Sequence, residues 1–129
     1  MKRYIELLER LIGTPSYSRQ EEQTAELLAG FLSRAGVREV HRSGNNVWAY
    51  NREFDPQRPT ILLNSHHDTV KPNSGWSRDP FIPTIEEGRL YGLGSNDAGG
   101  SVVSLTAAFL HFYEVRGMKY NLCLALTAE

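Results

Sequence analysis

The sequence predicts an α/β fold with a largely parallel or mixed central sheet covered by helices on both faces. Three observations carry this. "TILLNSHH" and "YNLCLALTAE" hold apolar runs of strand length, and runs that are apolar throughout belong to strands buried in a sheet. Between them lies "AGGSVVSLTAAFLHFYEV", a small-residue apolar helix, and strand–helix–strand order gives a right-handed crossover. Two more helical patterns precede the strands. The 129 residues suffice for one such domain and not for two.

The elements follow in order. Tyr4, Leu7, Leu8, Leu11 and Ile12 recur at helical spacing, so Lys2 to Ile12 reads as an amphipathic helix. "GTPSYS" breaks it. Ser18 is placed as an N-cap, with Glu21 three residues on to close a capping box. That second helix runs through Ala25, Leu28 and Leu32 to Ala35, and Gly36 is placed to cap its end. "VREVHR" and "NVWAYN" read as short strands around "SGN", and "EFDPQRP" as a polar loop. "TILLNSHH" reads as a buried central strand that turns polar where it emerges. "KPNSGWSRDPFIP" is a loop of a length usually reserved for function. "TIEEGRLYGLG" reads as a hairpin around Glu87-Gly88, followed by the apolar helix and the last strand. A core strand that reaches the final residue predicts the front part of a longer protein.

Composition excludes several classes. A formal net charge of −1 supplies no basic field for nucleic acid or for a membrane surface. No apolar run approaches the ~20 residues of a membrane span, and "MKRYIELLER" lacks the core of a signal peptide. A single cysteine, Cys123, rules out an internal disulfide and makes the cytoplasm the default location.

The chemistry-bearing residues gather at two places. In "NSHHDTV", strand alternation puts His66 and Asp68 on one face and turns His67 to the other, where it reads as packing. Ligands of open α/β sheets sit outside the carboxyl ends of strands, where this pair lies. A metal-binding imidazole needs its second nitrogen held, often by a carboxylate, and an aspartate two residues on suits that task. Polar residues that merely end a strand are the competing reading. In "YGLGSNDAGG", glycines permit tight turns, and Asp97 is either presented to a metal or caps the following helix. The stretch is neither a dinucleotide fingerprint nor a phosphate-binding loop, since the third glycine and the Gly-Lys-Ser/Thr are both missing. Glu129 reads as a solvated last residue, Cys123 as a small buried hydrophobe, and His41 and His111 as surface or core histidines. Trp76, Arg78 and Phe81 stand between substrate contact and packing.

Taken together, "LLNSHHDTV", "GWSRDPFIPTIEEGRLYGLGSNDAGG" and "LALTAE" resemble the co-catalytic zinc amidohydrolases of the acetylornithine deacetylase, succinyl-diaminopimelate desuccinylase and carboxypeptidase G2 group. The likeness covers essentially the whole chain. Within the group, "GLGSNDAGG" is most similar to the acetylornithine deacetylase branch, including members acting on succinylornithine or acetylcitrulline. The resemblance implies a zinc-peptidase-like α/β/α sandwich, of which residues 1–129 are the N-terminal portion of the catalytic domain. It implies that His66 is a zinc ligand, that Asp68 orients it, and that Asp97 bridges two zinc ions, with cobalt(II) able to substitute. It also implies a cis peptide after Asp97. Leu93 stands where the family has arginine, and Ala98-Gly99 replace a Met-Lys or Asp-Lys pair. Thr127 and Ala128 align Glu129 with the acid before the family's Glu-Glu pair, so the general base and remaining ligands fall beyond it. The implied activity is hydrolysis of the amide of a small N-acyl amino acid by a metal-activated water, as in arginine biosynthesis. A dipeptide is an alternative substrate, and the full-length protein is left open to homodimerisation. By itself the chain is expected to be inactive. A non-catalytic fragment or homologue that acts as a folding or binding module is the alternative.

Overall fold

The computed structural model describes residues 1–128; Glu129, and the reading attached to it, lies outside the described residues. Three helices, α1 (Lys2–Ile12), α2 (Glu22–Arg34) and α3 (Gly100–Phe112), pack on a sheet built from β1 (His41–Ser43), β2 (Asn46–Tyr50), β3 (Thr60–His66) and β6 (Asn121–Thr127). A separate two-stranded hairpin, β4 (Thr84–Glu86) and β5 (Arg89–Tyr91), follows β3.

The helix ends show where local signals held. α1 spans the residues that the periodicity predicts and buries Leu7, Leu11 and Ile12. α2 does not open on a Ser18 capping box: it begins at Glu22, with no side-chain cap bond. Arg19 turns left-handed at φ 70°, and its own N–H donates to Glu21 Oε1 at 2.6 Å. The helix thus starts three residues later than the capping box requires, with Glu21 rather than Ser18 as its N-cap. At the other end Gly36 takes φ 94°, and Val37 N–H reaches back to the Leu32 carbonyl at 3.1 Å. This is the Schellman arrangement that glycine permits and other residues resist.

The strand order is β1-β2-β6-β3. β3 runs parallel to β6, with Leu63 beside Leu124 and His66 beside Thr127. β2 runs antiparallel to β6, so the sheet is mixed, as expected. β6 is the buried central strand. β3 is not: among the described residues β6 is its one neighbour, and Ile61 and Leu62 are 46% and 60% exposed. An apolar run records that burial is favoured but not which strand supplies the cover, so β3 and β6 read alike in the sequence.

One face of the sheet, with Val47, Ala49, Leu124 and Leu126, joins Leu7, Leu28, Leu32, Val102 and Phe109 in a single core. Each large aliphatic side chain so buried contributes about 1.5–3 kcal/mol. Alternation sends Trp48, Tyr50, Leu62 and Cys123 to the opposite face, so the described helices cover one side only. Glu87 and Gly88, at φ 49° and 76°, form the two-residue turn of the hairpin, as its sequence predicts. No helix among the described residues is long and apolar enough to cross a membrane.

Candidate metal centre

β3 delivers His66 at its carboxyl end, and the tight turn Ser95–Gly99 before α3 delivers Asp97. Packing of the turn against α1 and the chain after β3 makes this meeting possible. A Cβ at Gly99 would stand 2.6 Å from both the Gly94 carbonyl oxygen and Leu8 Cδ1, and one at Gly94 would stand 2.7 Å from Thr69 Cγ2. Only glycine lets the backbone pass this closely. The Asp97–Ala98 peptide bond is cis.

His66 Nε2 lies 3.1 Å from Asp97 Oδ1. On the other side of the ring, Asp68 Oδ1 lies 3.3 Å from Nδ1. The second contact is close enough for an ion pair but is not aligned as a hydrogen bond, so Nδ1 is buried without a hydrogen-bond partner. A neutral imidazole has one N–H, and here each ring nitrogen faces a carboxylate. Nε2 and Oδ1 are within hydrogen-bond distance of each other, and the same two atoms are placed to share a cation. Zinc–nitrogen and zinc–oxygen bonds of about 2.0–2.2 Å in tetrahedral geometry hold their donor atoms roughly 3.3 Å apart. The observed separation therefore fits two donors of one metal ion. Asp97 makes no capping bond to α3, whose N-cap is Gly99, so the helix-cap alternative fails. Its side chain is 87% exposed and free to accept further ligands.

The site is partial. Among the described residues, no three His, Cys, Asp or Glu side chains converge as a metal cage. A cleft of about 850 Å³ opens beside His66, walled by Asn64, Asn96, Ser101, Ser104 and Thr127.

His67 faces away from this cleft, as alternation requires, but it does more than pack. The ring is nearly inaccessible, at 5% exposure. Nε2 lies 3.0 Å from the Asn45 carbonyl, which can only accept, so Nε2 carries a proton. Burial holds the imidazole below its ordinary pKa, against the opposing pull of the Asn45 carbonyl, Asp68 and Glu21. The neutral Nε2–H tautomer follows, and its Nδ1 lies 3.0 Å from the Thr24 hydroxyl, whose single proton also faces the Glu21 carbonyl at 3.0 Å. Thr24, Asn45 and Glu21 were not legible as neighbours of this site, because each reaches it across more than twenty residues of chain and none belongs to a local pattern.

The other candidates behave as structural residues. Arg78 pairs with Glu86 at 2.6 Å and covers the Tyr91 ring, and Phe81 meets Tyr17 edge-on, so the long loop is pinned to the hairpin and to the segment before α2. His41 stacks on Trp48, and His111 meets the Phe112 ring edge-on. Cys123 is buried, and burial pushes its thiol pKa up, the reverse of what a nucleophile needs.

Residues 62–129 match the model of the peptidase family M20/M25/M40, more than half of the chain. The chain belongs to that family. It is 32% identical to a succinyl-diaminopimelate desuccinylase of Delftia acidovorans, in a match covering all of this chain and 36% of that protein. The fold is that of an M20 family metallo-carboxypeptidase from Sulfolobus solfataricus (TM-score 0.78, 23% identity, 100% of this chain and 31% of that one). It is also that of human carnosine dipeptidase 1 (TM-score 0.75, 21% identity, 97% of this chain and 31% of that one). The chain thus spans about a third of the length of the relatives it matches.

Proposed function

We propose that the chain is the N-terminal portion of the catalytic domain of a metal-dependent amidohydrolase that removes the acyl group from a small N-acyl amino acid. The observation that carries this is the 3.1 Å approach of His66 Nε2 to Asp97 Oδ1 at the carboxyl end of β3. Membership of a peptidase family supports it.

His66 and Asp97 would hold the metal, which we take to be zinc, with two ions in the complete site. A bound divalent ion of this kind lowers the pKa of a water toward neutrality and polarises an amide carbonyl. Asp68 sets the ring: by accepting the Nδ1 proton it leaves the Nε2 lone pair for the metal and makes the imidazole a stronger donor. The exposed Asp97 carboxylate has a second oxygen for a second ion. The described residues place no general base in the cleft, and that proton transfer is assigned to the remainder of the enzyme.

For the substrate we carry two arms. The "GLGSNDAGG" turn favours acetylornithine or a related acyl-ornithine or acetylcitrulline, while the sequence relative named above is a desuccinylase of succinyl-diaminopimelate. All share an amide between a small acid and an amino acid. A cytoplasmic setting goes with the lone buried thiol. The test is hydrolysis by the full-length protein of acetylornithine, succinylornithine, acetylcitrulline and succinyl-diaminopimelate, before and after chelation. Metal-dependent release of the free amine from one of them is expected. No hydrolysis with any metal supplied refutes the reading.

A further inference from the structure

We propose that His67 is a positioning residue for the metal centre, fixing the direction of His66 and Asp68 from the opposite side of the strand. The inference rests on the metal-hydrolase reading above. Every polar group of His67 is engaged, and each bond runs to a different segment. Its N–H donates to the Thr127 carbonyl at 2.9 Å. Its carbonyl accepts from Ser16 Oγ at 2.9 Å. Nε2–H donates to the Asn45 carbonyl at 3.0 Å, and Nδ1 meets Thr24 Oγ1 at 3.0 Å, a hydroxyl that also bonds the Glu21 carbonyl. The residue between the two site residues is therefore tied at once to β6, the loop after α1, the β1–β2 turn and α2.

Filling the space would need only an aliphatic side chain, and two buried ring nitrogens cost free energy unless both are satisfied. Here both have a polar partner at 3.0 Å, and those partners are themselves held. Glu21, fully buried, accepts from Asn45 Nδ2 at 2.8 Å and from Arg19 N–H at 2.6 Å, which fixes the Asn45 turn against the start of α2. Metal ligands must hold their distances within about 0.2 Å. A small twist of the backbone at His67 rotates His66 and Asp68 together, so a rigid anchor at that residue acts on both.

The test uses the full-length protein stripped of metal and titrated with cobalt(II), with thermal unfolding measured on the same samples. His67→Leu is expected to weaken cobalt(II) binding about tenfold, as loss of an outer-shell partner does, and to change the visible absorption of the bound ion. His67→Gln, which restores a donor toward the Asn45 carbonyl, is expected to recover part of both. If His67→Leu lowers only the melting temperature, with affinity and spectrum as in wild type, the positioning role is overturned. Should His67→Leu fail to fold, Thr24→Val decides. It removes one hydroxyl at constant shape, is expected to weaken binding about threefold, and overturns the proposal if binding is unchanged. A wild-type protein that binds no cobalt(II) overturns the functional reading itself. Wild-type binding that is merely indifferent to His67 overturns only the positioning role.

Discussion

His66 Nε2 and Asp97 Oδ1 stand 3.1 Å apart although 31 residues separate them in the chain. The first comes from the end of a strand and the second from a glycine turn, and the whole of the long loop and the β4–β5 hairpin lies between. An imidazole and a carboxylate this close can share a proton or, as we propose above, a metal ion. We therefore expect His66→Ala and Asp97→Asn each to reduce metal affinity in the full-length protein by at least a hundredfold while leaving the fold intact. Both side chains are substantially exposed, so little packing is lost. Equilibrium dialysis against zinc, with circular dichroism as the control, checks this. Unchanged zinc content in Asp97→Asn would contradict the shared site.

Asp68 acts at one remove. Its carboxylate faces His66 Nδ1 at 3.3 Å, and the role we propose for it is to select the tautomer that turns a lone pair toward the metal. Asp68→Asn keeps the shape but presents an amide that can donate as well as accept. A loss of roughly 10–100-fold in activity or metal affinity is expected. The fall should appear in kcat more than in KM, because the substrate is not expected to touch this residue. A change confined to KM would place Asp68 in the substrate pocket.

Much of this was legible in the sequence, and the failures share one cause. α1, the Gly36 cap, the Glu87-Gly88 turn and the opposite facing of His66 and His67 all follow from periodicity or from turn chemistry within a few residues. β3 has the sequence of a central strand but stands at the edge among the described residues, because sheet order depends on pairing partners that an apolar run does not name. The Ser18 capping box gave way to Arg19 and Glu21 because Glu21 is drawn into a contact with Asn45, 24 residues away. The same blindness hid Thr24 and Asn45 behind His67. Local rules placed the residues that face the site; they could not find those that brace it from behind.

A stability prediction tests the bracing of β3 and β6. Asn121 is fully buried. Its Oδ1 accepts from Asp55 N–H at 2.9 Å, and its Nδ2 donates to the Asp55 and Arg58 carbonyls at 2.8 and 3.0 Å. One side chain thus latches the polar loop that leads into β3. Asn121→Ala leaves these backbone groups short of partners and is expected to cost about 2 kcal/mol, measured by urea unfolding. Asn121→Asp should cost at least as much, since a carboxylate cannot donate to the two carbonyls. Full stability in either variant would show that the loop is held by other contacts.

The glycine turn gives the last prediction, and it separates fold from site. A Cβ at Gly99 meets the Gly94 carbonyl oxygen and Leu8 Cδ1, each at 2.6 Å. Leu8 can move; a backbone carbonyl in the same turn cannot move without shifting the turn itself. Gly99 has a helical φ of −57°, so alanine there meets no conformational penalty and any effect comes from the close contact. Overpacking of this kind costs typically 1–3 kcal/mol, and the displaced turn carries Asp97. Gly99→Ala is therefore expected to lower stability by about 2 kcal/mol and to weaken metal binding as well. Gly36→Ala is the matched control: its Cβ meets nothing, while its φ of 94° is strained for alanine. It should lower stability by about 1 kcal/mol and leave metal binding alone, because it lies at the far end of α2. Equal effects of the two substitutions on metal affinity would mean that the site responds to stability in general rather than to the placement of Asp97.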